Sequence, residues 1–129
     1  MRQYKDPDLV WDILKSLDVS DEVAAGIMGY YYRESGFKTD ALVGWYLHPQ
    51  SNINRKFVRE VNKGLSDGSS REYFITTAHN AGGFGIGQWY AEKELGELYD
   101  YMQENNHLID NLKGQCEYTV KSIKENQKL

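Results

Sequence analysis

Residues 24–37 read AAGIMGYYYRESGF, and the rest of the chain can be interpreted around this stretch. Its small and apolar residues follow the spacing of one helix, and Gly36 is a typical residue to end it. Glu34 then lies in the last turn, where the helix dipole is negative. The dipole and any burial would both favour a protonated carboxyl, which a general acid needs near neutral pH. The commoner alternative is a surface glutamate at a helix end.

Two paired helices are predicted in the N-terminal part. Asp6 and Pro7 suit the cap and the first position of a helix that continues to about Leu17. After a two-residue link, Ser20 caps the second helix, which contains the quoted stretch. Because the link is so short, we expect the two helices to pack against each other as a hairpin.

The second helix is expected to be the central buried helix of the fold. Gly26 and Gly29 lie within it, and each glycine costs a helix up to about 1 kcal/mol relative to alanine. Their presence predicts that another backbone or a large ring approaches the helix closely.

The helical spacing lapses between residues 37 and 50, where Val43 to Leu47 are compatible with a short strand. Apolar residues then recur at helical spacing in four further segments. The predicted helices run from Ser51 or Asn52 to Gly64 or Gly68, from a Ser70 cap through Thr77, from Ala91 to about Asn105, and from about Leu108 to Ile123. The predicted fold is mainly α, a helical domain with a small β-hairpin or irregular lobe.

A second distinctive stretch, AHNAGGFGIGQWY, occupies residues 78–90. Its four glycines exclude a regular helix and allow positive φ or a close backbone approach. No strand-rich unit precedes it and no Gly-Lys-Ser/Thr follows, so dinucleotide and phosphate loops are excluded. The pattern predicts a tight hairpin-like turn that presents Gln88, Trp89 and Tyr90.

Composition narrows the function classes. A chain of 129 residues is expected to form one domain, or at most a compact lobe with an insertion, and it could be a piece of a longer protein. The net charge of −4 and the absence of a strongly basic window argue against nucleic acid as a partner. Seventeen aromatic residues (3 Trp, 10 Tyr and 4 Phe) suit either a core rim or a cleft that stacks on sugar rings.

A single cysteine, Cys116, excludes an internal disulfide and, with three scattered histidines, makes a structural zinc site improbable. We expect no metal and no cofactor. The N-terminal residues lack a signal peptide, and no apolar run approaches a membrane span, so we expect neither export by this segment nor a membrane partner.

The two distinctive stretches together resemble the phage tail lysozyme family, and more widely the goose-type lysozymes and soluble lytic transglycosylases. The resemblance rests on the Glu-Ser-Gly-Phe helix end at residues 34–37 and on the Gly-Phe-Gly-Ile-Gly-Gln-Trp turn at residues 83–89, in that order. Gly114 and Gln115, followed by Tyr118, are similar to a pattern these domains carry near their end. The likeness covers roughly Leu9 to Ile123 and implies a lysozyme-like helical domain with a cleft.

By this resemblance, Glu34 would protonate the leaving glycosidic oxygen of peptidoglycan. Gln88 and the backbone of Gly85 to Gly87 would line the sugar cleft, while Trp89 either stacks on a sugar or fills the core beneath the turn. Tyr30 and Tyr31 could form an apolar wall beside the acid, or one could be core and the other surface. The implied substrate contacts are Tyr30, Tyr31, Ser35, Gly85, Gln88, Trp89 and Tyr90.

The second catalytic group is left open. Relatives often carry an acidic residue before the Gly-rich turn, whereas this chain has Asn80, and Tyr30 stands where an asparagine is expected. The carboxylates considered as base are Asp40, Glu60, Asp67 and Glu72. Asp40 is preferred because it is closest along the chain to Glu34, and Asn80 could instead orient a water. His79 and His48 lack a matching partner pattern, which favours turn or surface roles.

These observations predict a muramidase that cleaves the glycan strands of bacterial peptidoglycan. It would be virion-associated, with other phage tail proteins as possible partners, or released to the cell wall as a lysin. A lytic transglycosylase forming 1,6-anhydro ends is one alternative. A catalytically silent glycan-binding or tail module, or an unrelated helical adaptor, is another.

Overall fold

The computed structural model describes residues 5–42 and 51–126, with the side chains of residues 51 and 52 excepted. Six helices occupy these ranges. They are α1 (Pro7–Ser16), α2 (Asp21–Ser35), α3 (Ser51–Lys63), α4 (Arg71–Ala81), α5 (Glu92–Glu104) and α6 (Leu112–Asn126). The mainly α prediction is therefore confirmed, and the suggested strand at residues 43–47 lies outside the described residues.

The ends of α1 and α2 form as their local sequence predicts. The Asp6 side chain accepts a hydrogen bond from the Asp8 N–H, and the Ser20 side chain accepts one from the Val23 N–H. Gly36 takes the left-handed conformation at φ 59° and ends α2. These signals act over a few residues, and at α1 and α2 no tertiary contact displaces them.

Three boundary predictions need correction. Helix α4 continues to Ala81 rather than Thr77, and α6 begins at Leu112 rather than near Leu108. Ser70 precedes α4 but makes no side-chain cap. Its buried hydroxyl instead donates to the Val61 carbonyl and contacts the Tyr99 hydroxyl at 2.8 Å. Tertiary hydrogen bonds have replaced the local cap.

Helix α2 is not surrounded by protein. One stripe of it is buried, whereas Gly26 and Gly29 are exposed, and a Cβ at either glycine would meet no atom within 4 Å. The prediction of a close approach at these glycines is therefore wrong. Helix α1 packs on α2 and α6, α5 packs on α4 and α6, and α3 packs on α4.

An aromatic cluster in the core anchors the Gly-rich turn. Phe84, the first bulky residue of the turn, is fully buried and meets Phe57 of α3 and Phe74 of α4 edge to face. Isolated antiparallel bridges join Phe84 to Leu42 and to Trp89. The small hairpin is thus held between the helices. None of the described helices is long and apolar enough to cross a membrane.

Candidate active site

The end of α2 is attached to the Gly-rich turn through Ser35. This side chain is 1% exposed, and its hydroxyl lies 2.7 Å from the Ile86 carbonyl oxygen and 3.2 Å from that of Tyr31. It also accepts a hydrogen bond from the Lys38 N–H. Ser35, predicted as a substrate contact, is therefore a buried link that fixes the half-buried Glu34 beside the turn.

Tyr30 makes a second link one helical turn earlier. Its hydroxyl donates a hydrogen bond to the Gly87 carbonyl, and a Cβ at Gly87 would lie 3.0 Å from that hydroxyl. Burial, followed by the carboxylates of Glu34 and Glu94, raises the pKa of Tyr30 to about 12. The phenol is thus a neutral donor at physiological pH, and it lies within the electrostatic reach of two carboxylates.

The turn is built by glycines that a large ring covers. Phe84 and Trp89 exchange two backbone hydrogen bonds of 3.0 Å, which close the hairpin. Gly85 has φ +88°, and a Cβ there would lie 2.9 Å from the Trp89 ring. Since both the conformation and the space exclude a side chain, the glycine at position 85 is required by the packing of Trp89.

Gln115 of α6 ties the turn to two other segments. Its side chain is fully buried, and Oε1 accepts the Ile86 N–H at 2.9 Å. Nε2 donates to the Thr39 carbonyl at 2.9 Å and to the Ile109 carbonyl at 2.8 Å. One amide therefore holds the turn, the segment after α2 and the loop before α6 together.

Gln88 supports the turn from within. Its Nε2 donates to the carbonyls of Ala41 and Gly85, at 2.9 and 2.8 Å. Its Oε1 is buried and has no hydrogen-bond partner in the part of the chain that the structure describes. Because the two carbonyls fix the orientation of the amide, this oxygen is held in its buried, unpaired position beneath the turn.

Trp89 fills the core beneath the turn rather than extending into solvent. It is 5% exposed and meets Tyr118 of α6 edge to face at 5.4 Å. Tyr90, in contrast, is 52% exposed and stacks on the His79 ring at 4.6 Å. Of these two predicted contacts, Tyr90 presents the larger accessible face.

A groove of about 410 Å³ runs along α2 between the turn and α6. We call it the α2 groove. Its α2 wall contains Val23, Gly26, Ile27 and Tyr30, and the facing residues are Trp89, Glu94, Thr119, Ser122 and Ile123. Glu34 follows Tyr30 by one helical turn on the same side of α2, so it lies beyond the Tyr30 end of the groove. The open space beside Gly26 belongs to this groove.

Tyr31 does not belong to the groove. Its ring is fully buried, and its hydroxyl donates to Thr119 Oγ1 at 2.6 Å. Because no part of the side chain is accessible, we correct the prediction that Tyr31 contacts substrate. Of the two tyrosines, Tyr31 is core and Tyr30 is at the rim.

The structure places Asp40 in a different depression from the α2 groove. It lines a cavity against α3 together with Asp110. Burial raises the pKa of Asp40 and the Asp110 carboxylate adds to the shift, while Lys5 and Lys38 oppose it. The structure gives no support to Asp40 as the base opposite Glu34.

Asn80 is exposed in the last turn of α4 and does not line the α2 groove. The neighbouring His79 Nδ1 lies 2.9 Å from the Tyr90 carbonyl, and its Nε2 lies 3.8 Å from a Glu92 oxygen. These contacts support the structural interpretation of His79, whereas His48 lies outside the described residues.

Two residues of the site were not predicted in these roles. Glu94, in the first turn of α5, lines the α2 groove and shares with Glu34 an electrostatic effect on Tyr30. Glu94 is one of several charged residues in α5, so no local signal in the sequence distinguishes it from the others. Gln115 is predicted near the apolar face of the last helix and within a family-like motif, but its hydrogen bonds to three separate segments are visible only in the structure.

Six helices and a Glu-Ser-Gly helix end linked to a Gly-rich turn are features of a lysozyme-like helical protein. The family model for phage tail lysozymes matches residues 7–129, and the chain belongs to that family, as its motifs predicted. Membership indicates a lysozyme-like function that acts on peptidoglycan, in a virion-associated or cell-wall-acting protein. Searches of curated proteins and of solved structures found no match to the chain.

Proposed function

We propose that this protein cleaves the glycan strands of peptidoglycan as an N-acetylmuramidase, with Glu34 as the general acid. The observation that supports this most is the double link between α2 and the Gly-rich turn. Ser35 and Tyr30 bond to consecutive carbonyls of the turn, at Ile86 and Gly87. The helix end that carries Glu34 is thereby fixed to the turn, beyond the Tyr30 end of the α2 groove.

The chemistry of the substrate explains the need for such an acid. A sugar alkoxide is a poor leaving group, so a carboxylic acid must donate a proton as the glycosidic bond breaks. The face of Tyr90 is exposed and available to pack on a sugar ring. Tyr90 directly follows the Gly-rich turn, to which Ser35 links the end of α2 that carries Glu34.

We assign Glu94 as the second carboxylate of the reaction. Inverting glycosidases need a carboxylate base on the opposite side of the sugar from the acid, with room for a water between them. Glu94 is exposed and lines the α2 groove, and its charge and that of Glu34 both act on the Tyr30 hydroxyl.

The first test is lysis of purified cell walls by Glu34→Gln. Loss of the general acid is expected to lower the rate by about 10²- to 10⁴-fold. Glu22→Gln, an exposed glutamate in the first turn of the same helix, is the matched control and should lyse at the wild-type rate. Equal lysis by Glu34→Gln and wild type would exclude Glu34 as the acid.

The second test concerns Glu94. The variant Glu94→Gln should lose about 10²-fold or more of the rate, whereas Glu97→Gln, one turn further along α5, should retain it. If Glu94 is the base, azide should restore turnover of Glu94→Ala and yield a glycosyl azide. An unimpaired Glu94→Gln would remove Glu94 from the mechanism.

Mass spectrometry of the released muropeptides separates the possible reactions. Hydrolysis by a muramidase leaves reducing ends, whereas a lytic transglycosylase leaves 1,6-anhydro ends. A catalytically silent binding module would release neither while still binding walls saturably, and that result would contradict the proposal.

A further inference from the structure

His79, in the last turn of α4, is held against the exposed Tyr90. The two rings stack with their centroids 4.6 Å apart and their planes 29° from parallel. His79 Nδ1 also lies 2.9 Å from the Tyr90 carbonyl oxygen. Because a carbonyl oxygen only accepts hydrogen bonds, Nδ1 carries a proton and donates it. One side chain of α4 thus contacts both the ring and the backbone of Tyr90.

The side chain of His79 is not needed to end α4. The Gly82 N–H bonds to the His79 carbonyl at 3.1 Å, so the backbone itself closes the helix. On the far edge of the imidazole, Nε2 is 3.8 Å from a Glu92 oxygen, which is too long for a hydrogen bond. The contacts with Tyr90 are therefore the ones that fix the His79 ring.

The backbone on either side of Tyr90 is fixed without help from His79. Trp89 exchanges two hydrogen bonds of 3.0 Å with Phe84, and the carbonyl of residue 91 accepts the Leu95 N–H at the start of α5. Tyr90 is nevertheless 52% exposed, so its ring can rotate unless a neighbouring side chain restrains it. Stacking on His79 supplies that restraint and leaves the exposed part of the ring in one orientation.

We propose that His79 is a positioning residue, which holds the Tyr90 ring ready to stack on a sugar of the glycan strand. This inference rests on the proposed function, because the ligand is the glycan of the proposed reaction. The C–H groups on the face of a pyranose ring give it an apolar surface, which suits an aromatic ring. His79 transfers no proton in this role and acts only through Tyr90.

The expected benefit is pre-organisation of the Tyr90 ring. A mobile side chain that becomes ordered on binding weakens the affinity by a factor of about two to ten. Because His79 orders the Tyr90 ring before the glycan binds, the wild-type protein avoids this loss. A variant that frees the ring should show it in full.

The test is binding of a peptide-free tetrasaccharide of alternating N-acetylglucosamine and N-acetylmuramic acid, measured by isothermal titration calorimetry. The parent protein is the full chain with Glu34→Gln, so that cleavage does not disturb the titration. We expect His79→Ala to raise Kd by about two- to tenfold and Tyr90→Ala to raise it at least as much. Tyr73→Ala is the matched control, since Tyr73 is another exposed tyrosine of α4 that packs on a ring, that of Phe57, and it should bind as the parent does.

A double-mutant cycle separates positioning from a direct contact with the glycan. If His79 acts through Tyr90, adding His79→Ala to Tyr90→Ala should leave Kd unchanged. A further loss of affinity in the double variant would overturn the positioning role. His79→Phe keeps a flat ring against Tyr90 and should bind more tightly than His79→Ala, whereas equal binding by these two variants would contradict the importance of the stack.

Kinetics on the same tetrasaccharide give a readout that a general loss of structure would not produce. With Glu34 restored, His79→Ala should raise KM by about the factor seen in Kd and leave kcat within about twofold, because the stack is equal in the substrate complex and the transition state. A fall in kcat larger than the rise in KM would contradict the proposal. Circular dichroism checks each variant, and His79→Asn, which also removes the ring, replaces His79→Ala if that variant does not fold.

Failure of this inference is distinguishable from failure of the proposed function. Unchanged Kd and KM in His79→Ala, with cleavage that Glu34→Gln abolishes, would reject the role of His79 alone. Undiminished cleavage by Glu34→Gln would reject the proposed acid, while a rise in KM for His79→Ala that disappears in the Tyr90→Ala background would still support positioning. A protein that neither binds nor cleaves the glycan would reject the proposed function and this inference with it.

Discussion

Replacing Gln115 by methionine should destabilise the fold around the Gly-rich turn without altering any proposed catalytic group. Methionine keeps an unbranched side chain but removes three buried hydrogen bonds, to the Ile86 N–H and to the carbonyls of Thr39 and Ile109. A buried polar group left without a partner costs about 1–3 kcal/mol. Three such groups set a range of roughly 3–9 kcal/mol, and we expect the lower part, about 3–5 kcal/mol, because carbonyls can find other donors.

The assay is urea unfolding followed by circular dichroism, with Gln103→Met as the matched control. Gln103 also donates from Nε2 to two carbonyls, those of Leu65 and Ser66 at 2.9 and 3.4 Å, but at a partly exposed position. Water can replace those bonds, so the control should lose no more than about 1 kcal/mol. Wall lysis by Gln115→Met, measured where the variant is folded, should also fall because the turn is no longer fixed.

Equal losses of stability in the two variants would refute this reasoning. So would a folded Gln115→Met that lyses walls at the wild-type rate. Either result would mean that α2 and the core aromatics hold the Gly-rich turn without the amide.

Three further predictions concern stability and reactivity. Gly85→Ala should lower the free energy of unfolding, measured in urea, by at least about 2 kcal/mol, because φ is +88° and the Trp89 ring lies 2.9 Å from the added carbon. Gly26→Ala, at an open helix position, should raise it by up to about 1 kcal/mol. The opposite order of stabilities would contradict the turn geometry. Burial raises the pKa of the Cys116 thiol to about 12, so Ellman's reagent at pH 8 should label one thiol only after denaturation. Burial also raises the pKa of Asp40 above 3.8, so the ionised carboxylate destabilises the folded state and Asp40→Asn should increase the free energy of unfolding at pH 7. This gain should vanish as the pH falls below 3.8, where the carboxyl is protonated in both the folded and the unfolded state. A gain that does not depend on pH would contradict this.

Local rules predicted the helix ends well where the controlling contacts are local. The Asp6 and Ser20 caps and the Gly36 stop involve residues within four positions of each other. The same rule failed at Ser70, whose hydroxyl bonds to Val61 and Tyr99 instead. Nothing in the neighbouring sequence shows which partner a hydroxyl will find in the core.

Those parts of the candidate site that depend on local contacts were also predictable from the sequence. Glu34 and the Gly-rich turn were recognisable because helix termination and glycine content are encoded within a few residues. Tyr30 and Tyr31 were indistinguishable in sequence, and the packing of α2 made Tyr31 core and Tyr30 rim. Burial depends on which face of a helix meets its neighbours, and a run of three tyrosines gives no local sign of that.

By itself, the sequence determined the helical class, the ends of the first two helices and the position of the carboxyl of Glu34 at a helix end, because each depends on short-range conformational preferences. Only the tertiary structure decided which groups share a cavity. It brought Glu94 from α5 to the groove beside Tyr30 and put Asp40 with Arg59 and Asp110 in another groove. These juxtapositions depend on how α2, α3, α5 and α6 pack, and distance along the chain carries little information about distance in space.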